Sequence, residues 1–389
     1  MPLKVKLNTI MKIIGFQLLL PSSLAFATIV LSFLSMALSK SIAKIAMSDL
    51  LALFALPMIV LATFPGVLIG SDEAFAFVVR ACVCFFVALL ALGFIQRGDR
   101  RSYESFFVGV IFVAVLNSLV VITTAIIPDV YEALNIRKFS GFDKHVRAFR
   151  SPGLFRGFDT SGYFMIFAIL SVPVALRSKR YSNLIKTTIM FSLIVGVLLS
   201  SRSSMLILSV LLFITPFVYG RALTFTQRAL CFAVSFCVGL VGLVLISAIF
   251  DLALPISWTI LVQELIPVEI DEIYGVTQAE YYQHYSFSSF TIVPDRTSFL
   301  PDNFYLRSAI SSGVLSMFAI TIHIIYLLGG SILCYRGMYR WFAILISLVF
   351  FVANLKNNYM LFLPFYMIII TIFACRPKWG WGGNSDFKV

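Results

Sequence analysis

Six basic side chains, Arg137, Lys138, Lys144, Arg147, Arg150 and Arg156, fall within 20 residues in a polar stretch between long apolar runs. Guanidinium forks match phosphate oxygens two at a time, so such a cluster at a membrane surface suits a diphosphate or an anionic lipid. The plain alternative is a solvated loop with internal pairs such as Asp143 with Arg147. Arg202 is a sharper signal. It stands in a turn of two or three residues between two apolar runs, flanked by Ser201, Ser203 and Ser204. Either it marks the membrane edge and snorkels, or it serves a ligand that the serines help to hold. Arg80 lies seven residues after Glu73 inside an apolar run, about 10 Å along a helix. An arginine at the bilayer centre costs about 2.5–3.5 kcal/mol on insertion scales, so it must face a polar cavity, pair with an acid or snorkel.

A second polar stretch runs from Asp251 to Arg307. It carries Glu264, Glu269, Asp271, Glu272, Glu280, Asp295 and Asp302 with Arg296 and Arg307, among aromatics that include Trp258, Tyr274, Tyr281, Tyr282, Tyr285 and Tyr305. Carboxylates accept from sugar hydroxyls, and aromatic faces stack on sugar C–H faces; the alternative is a small folded cap with an ordinary polar surface. His284 could act as a base or simply pack among tyrosines. His323 lies in an apolar run and reads as a packed, hydrogen-bonded residue. There is no HExxH, no CxxC pair and no close His/Asp spacing. Asp72-Glu73 is the one acidic pair in its turn and is weak ground for a metal; none is expected. Without a nucleotide-binding glycine loop, an activated sugar would have to arrive on a lipid.

The elements that must position these groups are membrane helices. The chain has 389 residues, 60% of them hydrophobic and 12% charged, with a mean hydropathy of +0.97. Soluble domains carry about 25% charged residues, so residues 1–389 read as a single all-α, polytopic membrane domain. Spans need about 20 apolar residues, and the sequence places them near 49–70, 74–95, 105–127, 161–177, 187–201, 204–219, 229–250, 308–328, 341–355 and 359–375. An earlier apolar stretch, 13–38, is broken at Pro21-Ser22-Ser23 and gives either one span or a hairpin, hence about 11 or 12 spans; the hairpin keeps Lys4, Lys6 and Lys12 on one side with the other short basic loops. No cleavable signal is expected, because no small-residue cleavage site follows the apolar run. Six cysteines lie inside apolar runs or near their basic ends, where they read as small packing residues.

Assigned by the positive-inside rule, the inner side holds 19 basic and 4 acidic residues and the outer side 10 basic and 14 acidic. The net charge of +12 therefore describes topology rather than nucleic-acid binding. The two long loops, 128–160 and 251–307, the Ser201–Ser204 turn and the Asp72-Glu73 turn all fall on the outer side, and the C-terminus falls inside.

Two motifs resemble the O-antigen polymerase and ligase superfamily. Ser201-Arg202-Ser203-Ser204 opens an apolar span, as the family's Ser-Arg-small pattern does at an outer helix start. Asp302-Asn303-x-Tyr305-Leu306, followed by Gly313 and Val314-Leu315, looks like the family's His-Asn-x-Tyr-Leu and trailing Gly-Leu-Leu-Gly at the end of the large periplasmic loop. The chain departs from the family at Asp302, where the ligases carry His, at Ser316 in place of the second glycine, and in lacking the glycine-rich segment that usually precedes the motif. The His-to-Asp difference and the absence of a soluble domain favour a Wzy-type polymerase.

The resemblance implies a multi-pass protein of the bacterial inner membrane, with a fold like that of the lipid-dependent GT-C glycosyltransferases and its site on the periplasmic face. It implies transfer of a glycan en bloc from undecaprenyl diphosphate to an undecaprenyl-diphosphate-linked repeat unit, with no cofactor, and a polysaccharide chain-length regulator as a candidate partner. On that reading Asp302 is the base, with His284 in reserve, and Arg202 and Arg150 stabilise the leaving diphosphate. Arg147, Arg156, Arg296, Arg307, Arg80, Asn303 and Tyr305 contact the substrates. The close rival is a ligase that moves the same glycan onto lipid A–core. A flippase would instead line a central cavity with its charges and keep its loops short, and an export scaffold would tolerate substitution in the polar loops.

Overall fold

A computed structural model describes residues 47–95, 100–127, 129–130, 151–155, 157–177, 181–220, 223–249, 304–355 and 359–376. Among the described residues every regular element is a helix: α1 (Met47–Leu68), α2 (Asp72–Ile95), α3 (Arg100–Ile126), α4 (Phe158–Ala175), α5 (Asn183–Leu198), α6 (Arg202–Tyr219), α7 (Phe225–Ile249), α8 (Phe304–Ser312), α9 (Val314–Cys334), α10 (Gly337–Ala353) and α11 (Leu363–Ala374). Each of the ten apolar runs expected from residue 49 onward is occupied by helix, with ends shifted by a few residues. The 13–38 stretch and most of both long loops lie outside the described residues.

One span differs from expectation. The apolar run read as 308–328 is two helices, α8 and α9, separated at Gly313, whose φ of +86° suits a residue without a Cβ. Hydropathy runs through this break unmarked, and Ser308, Ser311 and Ser312 beside it are buried in protein. The broken backbone is tolerated because it is covered. A Cβ on Gly66 of α1 would meet the Ser311 carbonyl oxygen at 2.6 Å, so the end of α8 rests directly on α1.

Two helices form the core. Eleven of the twelve residues of α11 are buried, as are nearly all those of α4. A helix apolar all round belongs inside a bundle, and at about 1.5 Å per residue α11 is too short to cross a bilayer by itself. Helices α3, α5, α6 and α10 pack around α4, while α2 and α9 pack on α11. The two cores meet through Phe365, whose ring lies 5.0 Å from Phe167 and 6.4 Å from Phe164. Outward faces stay apolar, with Phe75, Phe86, Phe112, Phe191, Phe213 and Phe318 exposed. Three helices, α3 from Tyr103, α4 and α9, are long and apolar enough to cross a membrane. Together these features describe a helical membrane protein.

Two helix starts carry serine caps. Ser182 accepts from the Ile185 amide ahead of α5, and Ser201 accepts from the Ser204 amide ahead of α6. Small residues let α4 and α6 approach: a Cβ on Gly162 would stand 2.6 Å from Ser204 Cβ and 2.9 Å from Ser200 Oγ. In membranes such close approach carries much of the packing attraction between helices. Gly162→Val should therefore lower the thermal unfolding midpoint of detergent-solubilised protein, at a cost of about 1–3 kcal/mol. Gly329→Ala in α9, where nothing lies within 4 Å, should leave it unchanged or raise it.

Candidate functional site

The α1–α2, α5–α6 and α10–α11 turns and the starts of α4 and α8 gather at one end of the bundle, where two charged or hydroxylic clusters face the same way. The first is built on Glu73, in the first turn of α2. Its Oε1 accepts from Arg80 Nη1 at 3.4 Å and its Oε2 from Arg307 Nη2 at 3.0 Å. Arg80 thus meets its membrane cost by pairing with an acid while its side chain stays partly exposed. Arg80 also lies 5.8 Å from the Phe77 ring centroid, a cation–π contact. Arg307 comes from the second turn's edge of α8, and its Nε is buried with no hydrogen-bond partner among the described residues.

The start of α8 is held from three sides. Arg307 binds Glu73, the Phe304 ring meets Phe77 edge-on at 6.2 Å, and the Phe304 amide donates to the Asn354 carbonyl at 3.1 Å. Asn354 is itself fixed, donating to the Phe350 carbonyl at 2.6 Å and accepting from the Tyr359 amide at 2.9 Å. Tyr305 is half-buried beside Phe304, and that burial pushes its hydroxyl pKa up. Asp302 and Asn303 immediately precede this pinned turn in the chain; both lie outside the described residues.

The second cluster centres on Asp159, in the first turn of α4. Its Oδ1 accepts from Ser201 Oγ and from Ser203 Oγ, the latter at 2.5 Å, and the two serine oxygens stand 2.9 Å apart. Residue 202 is the first of α6, so its backbone is tied to α4 on both sides. Beside it, the buried segment Ser151–Phe155 is stitched into the bundle. The Ser151 amide donates to Leu199, Thr124 Oγ1 donates to Ser151 Oγ at 2.6 Å, and the Leu154 amide donates to Asn117 Oδ1 at 2.8 Å. Asn117 Nδ2 in turn donates to Ser161 at 2.7 Å. Arg150 and Arg156 flank this segment in sequence.

A tyrosine pair joins the clusters. The Tyr163 ring on α4 lies 5.5 Å from that of Tyr359, which is bonded to Asn354. Of the candidate residues read from sequence, Arg80, Arg307 and Tyr305 come together around Glu73 and α8, and the backbone of Arg202 starts α6. Arg147, Arg150, Arg156, His284, Arg296, Asp302 and Asn303 lie outside the described residues. His323 is buried and bonded to Tyr366 at 2.9 Å, as a packed histidine should be. Among the described residues no three His, Cys, Asp or Glu side chains gather as a metal site would require.

Sequence reasoning missed Asp159 and did not place Glu73 among the site residues, although it set Arg80 seven residues after that acid and gave pairing with an acid as one of its outcomes.

The fold and these clusters define a helical membrane protein in which a carboxylate-bridged arginine pair and a serine–carboxylate cluster share one end of the bundle. No family model, curated protein or solved structure matches the chain.

Loss of the Ser201 hydroxyl removes both a helix cap and a bond to Asp159. Ser201→Ala should destabilise the protein by about 1–2 kcal/mol, read as a lowered unfolding midpoint. Asp159→Asn, which keeps an acceptor oxygen, should cost less than Asp159→Ala.

Proposed function

We propose that this chain is a Wzy-type O-antigen or related surface-polysaccharide polymerase, working at the periplasmic face of the bacterial inner membrane. The observation that carries the reading is the convergence of its two motifs. Ser201-Arg202-Ser203 and the turn that follows Asp302-Asn303 both start helices pinned at the same end of one bundle. Each is held by carboxylates and amides rather than by apolar packing alone.

The chemistry follows from the substrate. An acceptor-sugar hydroxyl attacks the anomeric carbon of the donor glycan, forming a new C–O bond. The bond from that carbon to the diphosphate breaks, its electron pair leaves with undecaprenyl diphosphate, and the hydroxyl proton passes to a carboxylate. A single displacement inverts the anomeric centre. Asp302 takes the proton, positioned by Asn303 and by the anchored start of α8, with His284 as the alternative base. The leaving diphosphate gains charge as the bond breaks, and preorganised donors in a low-dielectric site stabilise it. Arg202 and Arg150 have that role, with Arg147, Arg156 and Arg296 beside them. Arg80, Arg307 and Tyr305 contact the lipid-linked substrates. No step requires a nucleotide sugar or a metal.

Purified protein given a synthetic undecaprenyl-diphosphate repeat unit, without nucleotide sugar or metal, should produce a ladder of polymer on a gel. Arg202→Ala and Asp302→Ala should each slow the ladder by about 10²–10³. Transfer to added lipid A–core without a ladder would make the chain a ligase. Full activity in both variants would remove the mechanism.

A further inference from the structure

The proposed reaction brings together two lipids, each with its own diphosphate, and the bundle end carries a paired-arginine cluster apart from the start of α6. We propose that Glu73, Arg80 and Arg307 form a second lipid-phosphate site, apart from Arg202, in which the diphosphate of one lipid-linked substrate bridges the two guanidiniums and displaces Glu73. Its assignment to a substrate rests on the polymerase reading; the phosphate site itself rests on the geometry.

Glu73 is a poor match for what surrounds it. Among the described residues one carboxylate faces two guanidiniums, an excess of one positive charge. Each Glu73 oxygen takes a single N–H, whereas a guanidinium presents five. Arg307 Nε is buried with no partner among the described residues, an arrangement that costs free energy until an acceptor arrives. The exposures are graded in the order a lipid would need. The Glu73 side chain is 12% exposed, Arg307 27% and Arg80 41%, so the cluster opens toward Arg80, two turns along α2.

Arg80 borders a strip of lipid-facing side chains. Phe75, Val79 and Phe86 are exposed, and spacings of four and seven put them on one helix face. A chain lying along that strip places a headgroup phosphate within reach of Arg80 at the depth of the first turns of α2. Phosphate oxygens suit paired guanidiniums better than one carboxylate does, because they offer more acceptors in the same fork geometry.

The site predicts changes of opposite sign. Removing Arg80 removes a donor, while neutralising Glu73 removes the internal competitor. Full-length protein in detergent would be titrated with undecaprenyl diphosphate lacking sugar and read by native mass spectrometry. Wild type should bind two lipids. Arg80→Ala should retain one and weaken the other about tenfold or more, and Glu73→Gln should tighten the same step by several-fold. Arg202→Ala should spare it. Arg80→Ala is the primary variant because its side chain is partly exposed and its loss leaves Arg307 on Glu73; Arg307→Lys checks the second donor without removing its charge. Unchanged binding in Arg80→Ala, or equal weakening by Arg80→Ala and Glu73→Gln, overturns the site. Competition arms separate the sources of phosphate. Displacement by phosphatidylglycerol at equal concentration, or by inorganic pyrophosphate alone, overturns the substrate assignment. If wild type makes no polymer but Arg80→Ala still loses one lipid, the polymerase reading fails and the phosphate site stands.

Discussion

In hydrocarbon a polar group without a partner costs several kcal/mol, and this constraint organises the molecule. Largely apolar α4 and α11 fill the centre. Charge is driven to the ends, and where it enters a span it is paired. Arg80 reaches back toward Glu73 rather than remaining at its own depth. The same constraint explains the serines. Ser171, Ser308, Ser331 and Ser347 each return their hydroxyl to the carbonyl four residues earlier, so they stay silent inside the bundle. Ser201 and Ser203 instead spend theirs on Asp159, on a different helix. That contrast marks the α4–α6 contact as a place where polarity is organised rather than hidden.

The two clusters are therefore not loose surface charge. Each sits where a helix begins against another helix, and each is fastened to the core by residues with no charge. Asn354 and Phe304 seat α8, while Asn117, Thr124 and Ser151 seat the segment before α4. A site built on such ends is better defined than one on free loops, because the element that carries the side chain cannot shift without breaking buried hydrogen bonds.

Spans were legible because 60% hydrophobic composition leaves few other readings and because hydropathy alone marks where a chain can cross. The break at Gly313 was not, since no charge or proline marks it; it rests on the positive φ of Gly313 and on the packing of Ser311 against Gly66, neither of which hydropathy reports. Arg80 was legible as an anomaly, and its possible remedies included the acid it uses. Asp159 was illegible for a different reason. Its partners lie 42 and 44 residues away, and nothing local distinguishes it from a solvated loop acid. Long-range pairing of this kind appears only when α4 and α6 are brought side by side by Gly162 and the serines opposite it.

The separation of the clusters bears on what kind of chemistry the end of this bundle can host. One charged centre suffices for hydrolysis of a single lipid or for holding a headgroup in transit. Here a carboxylate-bridged arginine pair on α2 and α8 and a serine–carboxylate anchor under Arg202 on α6 are joined by Asn354, Tyr359 and Tyr163. The connecting side chains are packed rings and backbone bonds, which hold distance but carry no charge across. In the proposed reaction two lipids must bring their sugars together while their diphosphates stay apart, and two polar centres separated by neutral rings suit that demand. Like charges brought together in a low-dielectric site repel strongly, so a reaction between two lipid diphosphates needs its basic groups divided. A single merged arginine patch would gather the charges that the reaction has to keep apart.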